Sequence, residues 1–306
     1  MAEAAGGPAR PQRGRAKRHH YIPEMTQRRF AGPDLHLWSF DKRHPERGVE
    51  RKPIARLFRE WHLYTFVGTD GSRDTSSETL LSASEGRTEP ILKRLVAEAR
   101  GGRLHRPSTA DRGILVDFLI AQLRRAPDFF DSVTPPQQVA ADVATLFRQW
   151  EERYGPASDE ERADLISGRL ASRTRANLFA RNVAQPLARS TAVMLERGLS
   201  VGVVGSGDRS FLLGSNPFAR FLGLTSRRNG LADPGAEAWL PIASDVAVLS
   251  FGSRAQEHLR HLPDEAVRKI NSVIAAQSTV VASASRDLVA SFARRHLKSR
   301  LVPPRH

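Results

Sequence analysis

The sequence predicts an α+β fold, in which a mixed or antiparallel sheet from two strand groups packs against a central helical block. Three observations predict it. Segments of period two fall into two clusters, residues 35–68 and 199–251. Between them, residues 75–197 change to a helical period. Strands and helices do not alternate one for one, and no internal repeat is present, so a doubly wound parallel sheet is not expected. The two strand groups are expected to meet in one sheet.

Residues 1–18 hold Gly, Pro, Ala and Arg without periodicity and are expected to form a disordered basic arm. Order is expected from His19, with a single α+β domain over 19–298 and a basic tail over 299–306. Pro23 suits the first turn of a short helix in PEMTQRRF. Residues 35–42 alternate as a strand, with Leu35, Leu37 and Ser39 on one face, and residues 48–54 are read as the returning partner of a hairpin. Residues 62–68 read as another strand, closed by the turn Thr69-Asp70-Gly71-Ser72.

Thr75 to Glu78 matches a capping box and starts a helix that stops at Gly101-Gly102. A second helix runs from Ser108 to Ala126, where Pro127 stops it; a third covers about 135–153 and a fourth about 172–197. Strands resume at 199–205, 210–218 and 239–251, the last broken at Ala243-Ser244, and helices near 263–278 and 285–297 close the chain. The glycine-rich stretch 202–210 lacks a phosphate-loop lysine and reads as a hairpin turn; Asn216-Pro217 reads as a turn too.

Of 306 residues, 40% are hydrophobic and 26% charged, as in a globular protein of one large domain or two small ones. There are no cysteines, so disulfides, thiolate zinc sites and cysteine nucleophiles are excluded, and any metal would rest on His, Asp or Glu. The longest apolar run, residues 114–123, is too short to span a membrane and contains Asp117. The N-terminal charges are not followed by an apolar signal segment, so the expected address is the cytoplasm, with no membrane partner.

The net charge of +14 favours phosphate-rich partners, nucleic acid foremost. Only six of the 47 basic residues are Lys, a bias that a GC-rich genome also produces; that bias explains Arg over Lys but not the excess over 33 acids. Residues 4–18 carry five cations and no acid. Beyond Asp287 come Arg294, Arg295, Lys298, Arg300 and Arg305, again with no acid. Both termini therefore read as basic arms for a polyanion.

The candidate site rests on polar residues in apolar places. His19 and His20 open the ordered chain, and neighbours on an extended segment face opposite sides. One is read as a ligand or general base while the other packs; alternatively both are simply the first residues of the fold. Leu81, Glu85, Thr88, Leu92 and Leu95 form one helical stripe, and Leu115, Phe118, Leu119 and Gln122 another, with Arg125 three residues on. A buried charge is expensive unless paired, so Glu85 is expected against Arg125, with Gln122 completing the hydrogen bonds. This set is either an internal ion pair locking two helices or the floor of a pocket for phosphate, metal or nucleotide. Glu78 is expected only to cap its helix, and Asp41 and Lys42 to be solvated at a turn.

The order of His19-His20-Tyr21-Ile22-Pro23, Leu37-Trp38-Ser39-Phe40-Asp41-Lys42, Tyr64, Glu85, Gln122-Leu123-Arg124-Arg125-Ala126-Pro127, Ser215-Asn216-Pro217 and Leu240-Pro241 resembles a bacterial family catalogued as domain of unknown function 4238. The resemblance extends over about residues 19–290 and implies that His19, His20, Glu85, Gln122 and Arg125 belong to one constellation. Where that family tends to have Ser-Asp-Asn-Pro, this chain reads Gly214-Ser215-Asn216-Pro217, so the carboxylate is missing; if that Asp is a metal ligand in relatives, this chain has lost or replaced it.

Charge and constellation together lead to a metal-assisted phosphodiesterase acting on nucleic acid. His19, His20 and Glu85 would hold Mg, Mn or Zn, Arg125 would stabilise phosphate charge, Gln122 would complete the polar set, and Asn216 would orient the substrate. The alternative is a non-catalytic nucleic-acid-binding or regulatory module in which the His/Glu/Arg cluster is structural.

Overall fold

The computed structural model describes residues 18–301 except 186, 206, 208, 222–232 and 234. The arm expected over 1–18 thus lies outside the described residues save for Arg18. The described residues begin with β1 (Arg18–His20), α1 (Glu24–Arg28), β2 (His36–Asp41), β3 (Val49–Pro53), β4 (Arg59–Trp61), β5 (Phe66–Val67) and β6 (Arg73–Asp74). A helical block follows: α2 (Ser76–Arg100), α3 (Thr109–Arg124), α4 (Pro127–Val133), α5 (Pro136–Tyr154), α6 (Asp159–Ile166), α7 (Arg169–Ala184) and α8 (Ala188–Glu196). Then come β7 (Arg197–Val204), β8 (Leu213–Gly214), β9 (Ala219–Phe221), β10 (Glu237–Pro241), β11 (Val246–Ser253), β12 (Leu259–Leu262), α9 (Asp264–Gln277), β13 (Val280–Ser283) and α10 (Arg286–Leu301). This is an α+β fold, and among the described residues no helix is long and apolar enough to cross a membrane.

The strands form two principal sheets rather than one, and the two strand groups meet only in the second, where β8 joins β2 and β3 through β13. One sheet has the order β12-β7-β11-β10-β9, antiparallel except where β12 runs parallel to β7. The other has the order β3-β2-β13-β8 and is antiparallel throughout. The reason is visible in β11. Val246 and Val248 share a core with Leu92 and Leu95 of α2 and Leu115 and Leu119 of α3. Ala247 and Leu249 point the other way, into a core with Ile270 and Ile274 of α9 and Leu37, Phe40 and Val281 of the second sheet. A strand apolar on both faces needs cover on both; the helical block supplies it on one side, and α9 with the second sheet on the other.

Several elements depart from the sequence expectation. The expected strand 62–68 is interrupted by a turn in which Thr65 N–H donates to His62 O at 3.0 Å, with β4 before it and β5 after it. The expected fourth helix is broken after Ala184, because Gln185 precedes Pro186 and takes an extended ψ of 131°. A proline that was expected only to stop a helix, Pro127, also starts α4, where its fixed φ suits the first turn. The stretch 202–210 is not a hairpin turn, since β7 pairs with β11 and β12 while the chain crosses to β8 in the other sheet. Only Leu213–Gly214 of the expected strand 210–218 is strand. At the C-terminus α10 continues to Leu301, past the expected end at 297, so the basic residues Arg294, Arg295 and Lys298, read also as part of an arm, lie on a helix.

Gly214 shows how tightly β8 meets α9. A Cβ there would stand 2.5 Å from Ile274 Cγ2 and closer still to Ser278 Oγ. Gly214→Ala is therefore expected to destabilise the fold by about 1–3 kcal/mol through overpacking, read as a lower urea midpoint with an unchanged m-value.

A candidate nucleic-acid interface and the lock beneath it

Arg125 follows the last turn of α3 and is 3% exposed. Its Nη1 donates to Glu85 Oε1 of α2 at 2.5 Å, its Nη2 to the His20 carbonyl of β1 at 2.5 Å, and its Nε to the Tyr64 hydroxyl at 3.3 Å. The Tyr64 hydroxyl in turn donates to the Arg125 carbonyl at 3.4 Å. Burial pulls the guanidinium pKa down, but Tyr64 and Glu85 outweigh it and hold the group above its ordinary value. The expected Glu85–Arg125 pair is therefore present, with Glu85 keeping 26% of its side chain exposed. Gln122 does not complete it. That side chain is 2% exposed, and among the described residues its Nε2 makes no hydrogen bond.

His19 is locked from two sides. Tyr64 N–H donates to Nδ1 at 3.1 Å, and Nε2 lies 2.9 Å from Glu78 Oε2. A backbone amide pointing at Nδ1 puts the ring proton on Nε2, the nitrogen that faces the Glu78 carboxylate. The ring also stacks on Tyr64, with centroids 5.4 Å apart. Glu78 is thus the partner of His19 and not a cap; Asp74 caps α2 instead, its Oδ1 accepting from Ser76 N–H at 2.8 Å. Sequence reasoning missed this pair, because the capping-box spacing masked it.

His20 faces away from His19. Burial, opposed by Glu24, keeps its pKa below the ordinary value, and Arg59 and Arg125 push it further down, so the ring is neutral at pH 7. Its buried Nε2 makes no hydrogen bond among the described residues. Asn216 lies elsewhere, 4% exposed after β8, with its backbone held by Ser278 and Gln277. The preceding Ser215 donates its hydroxyl to Asp128, whose carboxylate also receives Thr279 N–H and Thr279 Oγ1, each at 2.9 Å. So the structure gathers His19, His20, Glu85 and Arg125 around Tyr64, buries Gln122 without joining it to the ion pair by a hydrogen bond, and ties Asn216 to a different network. His19, His20 and Glu85 do not converge, and among the described residues no group of three His, Asp or Glu side chains is placed to hold a metal ion.

The ribbon that carries the histidines has a second face. β1 pairs antiparallel with β4, placing Arg18 opposite Trp61, His19 opposite Glu60 and His20 opposite Arg59. Directly opposed residues share a face and successive residues alternate, so Arg18, His20, Arg59 and Trp61 point to one side while His19 and Glu60 point to the other. Beside the ribbon is a groove of about 560 Å³ lined by Arg18, Arg51, Lys52, Arg56, Arg59 and Trp61, with Glu50 and Pro53. Trp61 is 55% exposed, and the Arg18 guanidinium lies 4.1 Å above its ring.

Two of these cations are already neutralised, Lys52 by Glu50 at 2.6 Å and Arg51 by Asp34. Arg18, Arg56 and Arg59 have no carboxylate partner among the described residues. Desolvation first, then repulsion from Arg18 and Arg56, holds the Arg59 guanidinium below its ordinary value. The strand between them is strained at both ends: Phe58 has φ 50° and His62 φ 53°. A bulky residue in this left-handed region costs about 1–3 kcal/mol and persists only where its surroundings over-determine it, a pattern that clusters at functional sites. Arg51-Lys52, Arg56, Arg59 and Trp61 are dense enough in the sequence to have been noticed; the expected strand began at residue 62 and left β4 unread.

The family described as Protein of unknown function (DUF4238) matches residues 18–287, and the chain belongs to it. No curated protein and no solved structure matches the chain.

Removing one half of the lock strands a charge. Glu85→Ala should cost about 3 kcal/mol, the low end for breaking a buried pair because Glu85 is partly solvated. Glu85→Leu combined with Arg125→Met should recover only part of that loss in the same denaturation assay, because the His20 carbonyl and the Tyr64 hydroxyl lose their guanidinium donor. The depressed pKa of His20 fixes a pH dependence. The unfolded state binds the proton more readily, so stability is fully present above about pH 6.5 and falls as the pH drops through the folded pKa. His20→Gln is expected to flatten that part of a plot of thermal midpoint against pH.

Proposed function

We propose that this DUF4238 protein is a nucleic-acid-binding module that grips phosphate in the groove beside β1 and β4, with the His19–Glu78 and Arg125–Glu85 pairs serving as its structural lock. The observation that carries this reading is the set of Arg18, Arg56 and Arg59, three guanidinium groups without a carboxylate partner among the described residues, beside an exposed tryptophan. Guanidinium groups match phosphate geometry and exchange weakly held counterions for it. The chain charge of +14 supports the same class of partner. The proposed setting is the cytoplasm.

Binding is favoured over metal-assisted hydrolysis by what the candidate catalytic groups already do. Both ring nitrogens of His19 are engaged, and Arg125 and Glu85 satisfy each other. His19 and Arg125 are thus already engaged, and Glu85, though partly exposed, belongs to no group of three His, Asp or Glu side chains placed to hold a metal among the described residues. His20 keeps a neutral ring but lies outside the groove lining, with its Nε2 buried.

The groove is tested by salt dependence. Arg56→Ala with Arg59→Ala should weaken binding to a labelled nucleic acid and reduce the slope of log K against log salt by about 2, one for each phosphate that is no longer neutralised. An unchanged slope and affinity would remove the groove from the binding site.

A further inference from the structure

Resting on that reading of the groove, we propose that its ligand is single-stranded nucleic acid, with an unpaired base stacked on Trp61 and the flanking phosphates on Arg59 and Arg56. The chemistry lies in the pairing of a flat aromatic side chain with cations that have no acid of their own. Trp61 ends a short strand and leaves over half its side chain in solvent, where a large apolar ring gains nothing unless something covers it. The Arg18 guanidinium already occupies one face of the indole at 4.1 Å, as a planar cation does on an aromatic ring. A nucleobase presents the same flat, polarisable face to the remaining surface, and stacking of this kind tolerates any base.

The shape of the site selects the strand form. A groove of about 560 Å³ is concave and of the size that takes a small molecule, about 300–1,000 Å³. A nucleotide unit fits such a space. A duplex presents its bases edge-on within its grooves and keeps their faces covered by neighbours, so Trp61 would meet only backbone. Arg56 and Arg59 line the same groove as Trp61, where the phosphates either side of a splayed base would pass. The left-handed residues Phe58 and His62 fix both ends of the strand that holds Arg59 and Trp61, so the stacking ring and one phosphate ligand are presented by one rigid unit.

The experiment measures affinity by fluorescence anisotropy for a labelled single-stranded 12-mer and for the same sequence as a blunt duplex, with inorganic polyphosphate as competitor. It uses the full chain and its Trp61→Ala, Trp61→Phe and Arg56→Ala/Arg59→Ala variants, each checked for an unchanged thermal midpoint. Trp61→Ala should weaken single-strand binding by about tenfold or more, the value of one stacked base. It should leave duplex binding, competition by polyphosphate and the salt slope as they were, and Trp61→Phe should restore most of the loss. Equal affinity of Trp61→Ala and the original chain for the single strand, or an equal loss on single strand and duplex, would overturn the stacking proposal while leaving the groove in place. Failure of the arginine double variant to weaken any of the ligands would instead overturn the groove, and the stacking proposal with it.

Discussion

The fold is organised around one charge that cannot be discharged. A guanidinium keeps its proton at any pH the protein meets, so burying Arg125 obliges its surroundings to supply acceptors. Those acceptors come from three places far apart in sequence: a carboxylate on α2, a backbone carbonyl on β1 and a phenol in the turn after β4. Satisfying one side chain therefore joins the helical block to the ribbon at the start of the chain. Tyr64 extends the same logic, since its amide locks His19 while its hydroxyl serves Arg125. β1 is only three residues long, and it holds its place because both of its histidines are fixed, one by its ring and the other by its carbonyl.

That arrangement was partly legible. The helical stripes of α2 and α3 put Glu85 and Arg125 among apolar residues, and the cost of an unpaired buried charge was enough to bring them together. The histidines were correctly separated onto two faces by strand alternation alone. What was not legible has a common cause. Glu78 meets His19, Asp128 meets Ser215 and Thr279, and Arg112 meets Glu257 at 2.6 Å, and each pair joins elements distant in sequence. No local period marks such contacts, and where a local motif is present, as with Thr75 to Glu78, it can point to the wrong partner. Long helices bounded by glycine and proline were readable because their signals are local. Two- and three-residue strands such as β4, β5 and β8 carry too little pattern to be seen, and β4 is where the groove is built.

The ribbon of β1 and β4 divides two tasks between two faces. Its inner face, with His19 and Glu60, is occupied by partners within the fold. Its outer face, with Arg18, Arg59 and Trp61, carries charge and aromatic surface turned to solvent. The adjacent histidines that suggest a metal site in the sequence are thus better understood as the seam between these faces.

The backbone at Phe58 and His62 bears on the thermodynamics of recognition. A flexible loop that wraps a ligand must surrender conformational entropy at that moment, at roughly 1–2 kcal/mol for each backbone residue ordered. Here the three residues between the left-handed pair are held before any ligand arrives, with Tyr21 N–H bonded to Phe58 O at 2.9 Å and the Phe58 ring packed against Tyr21. The ordering cost has been met during folding, where the large core absorbs it. In the proposed binding reading, encounter then needs no slow rearrangement of this strand, and the ordering part of the binding cost falls away while the loss of translational and rotational freedom remains.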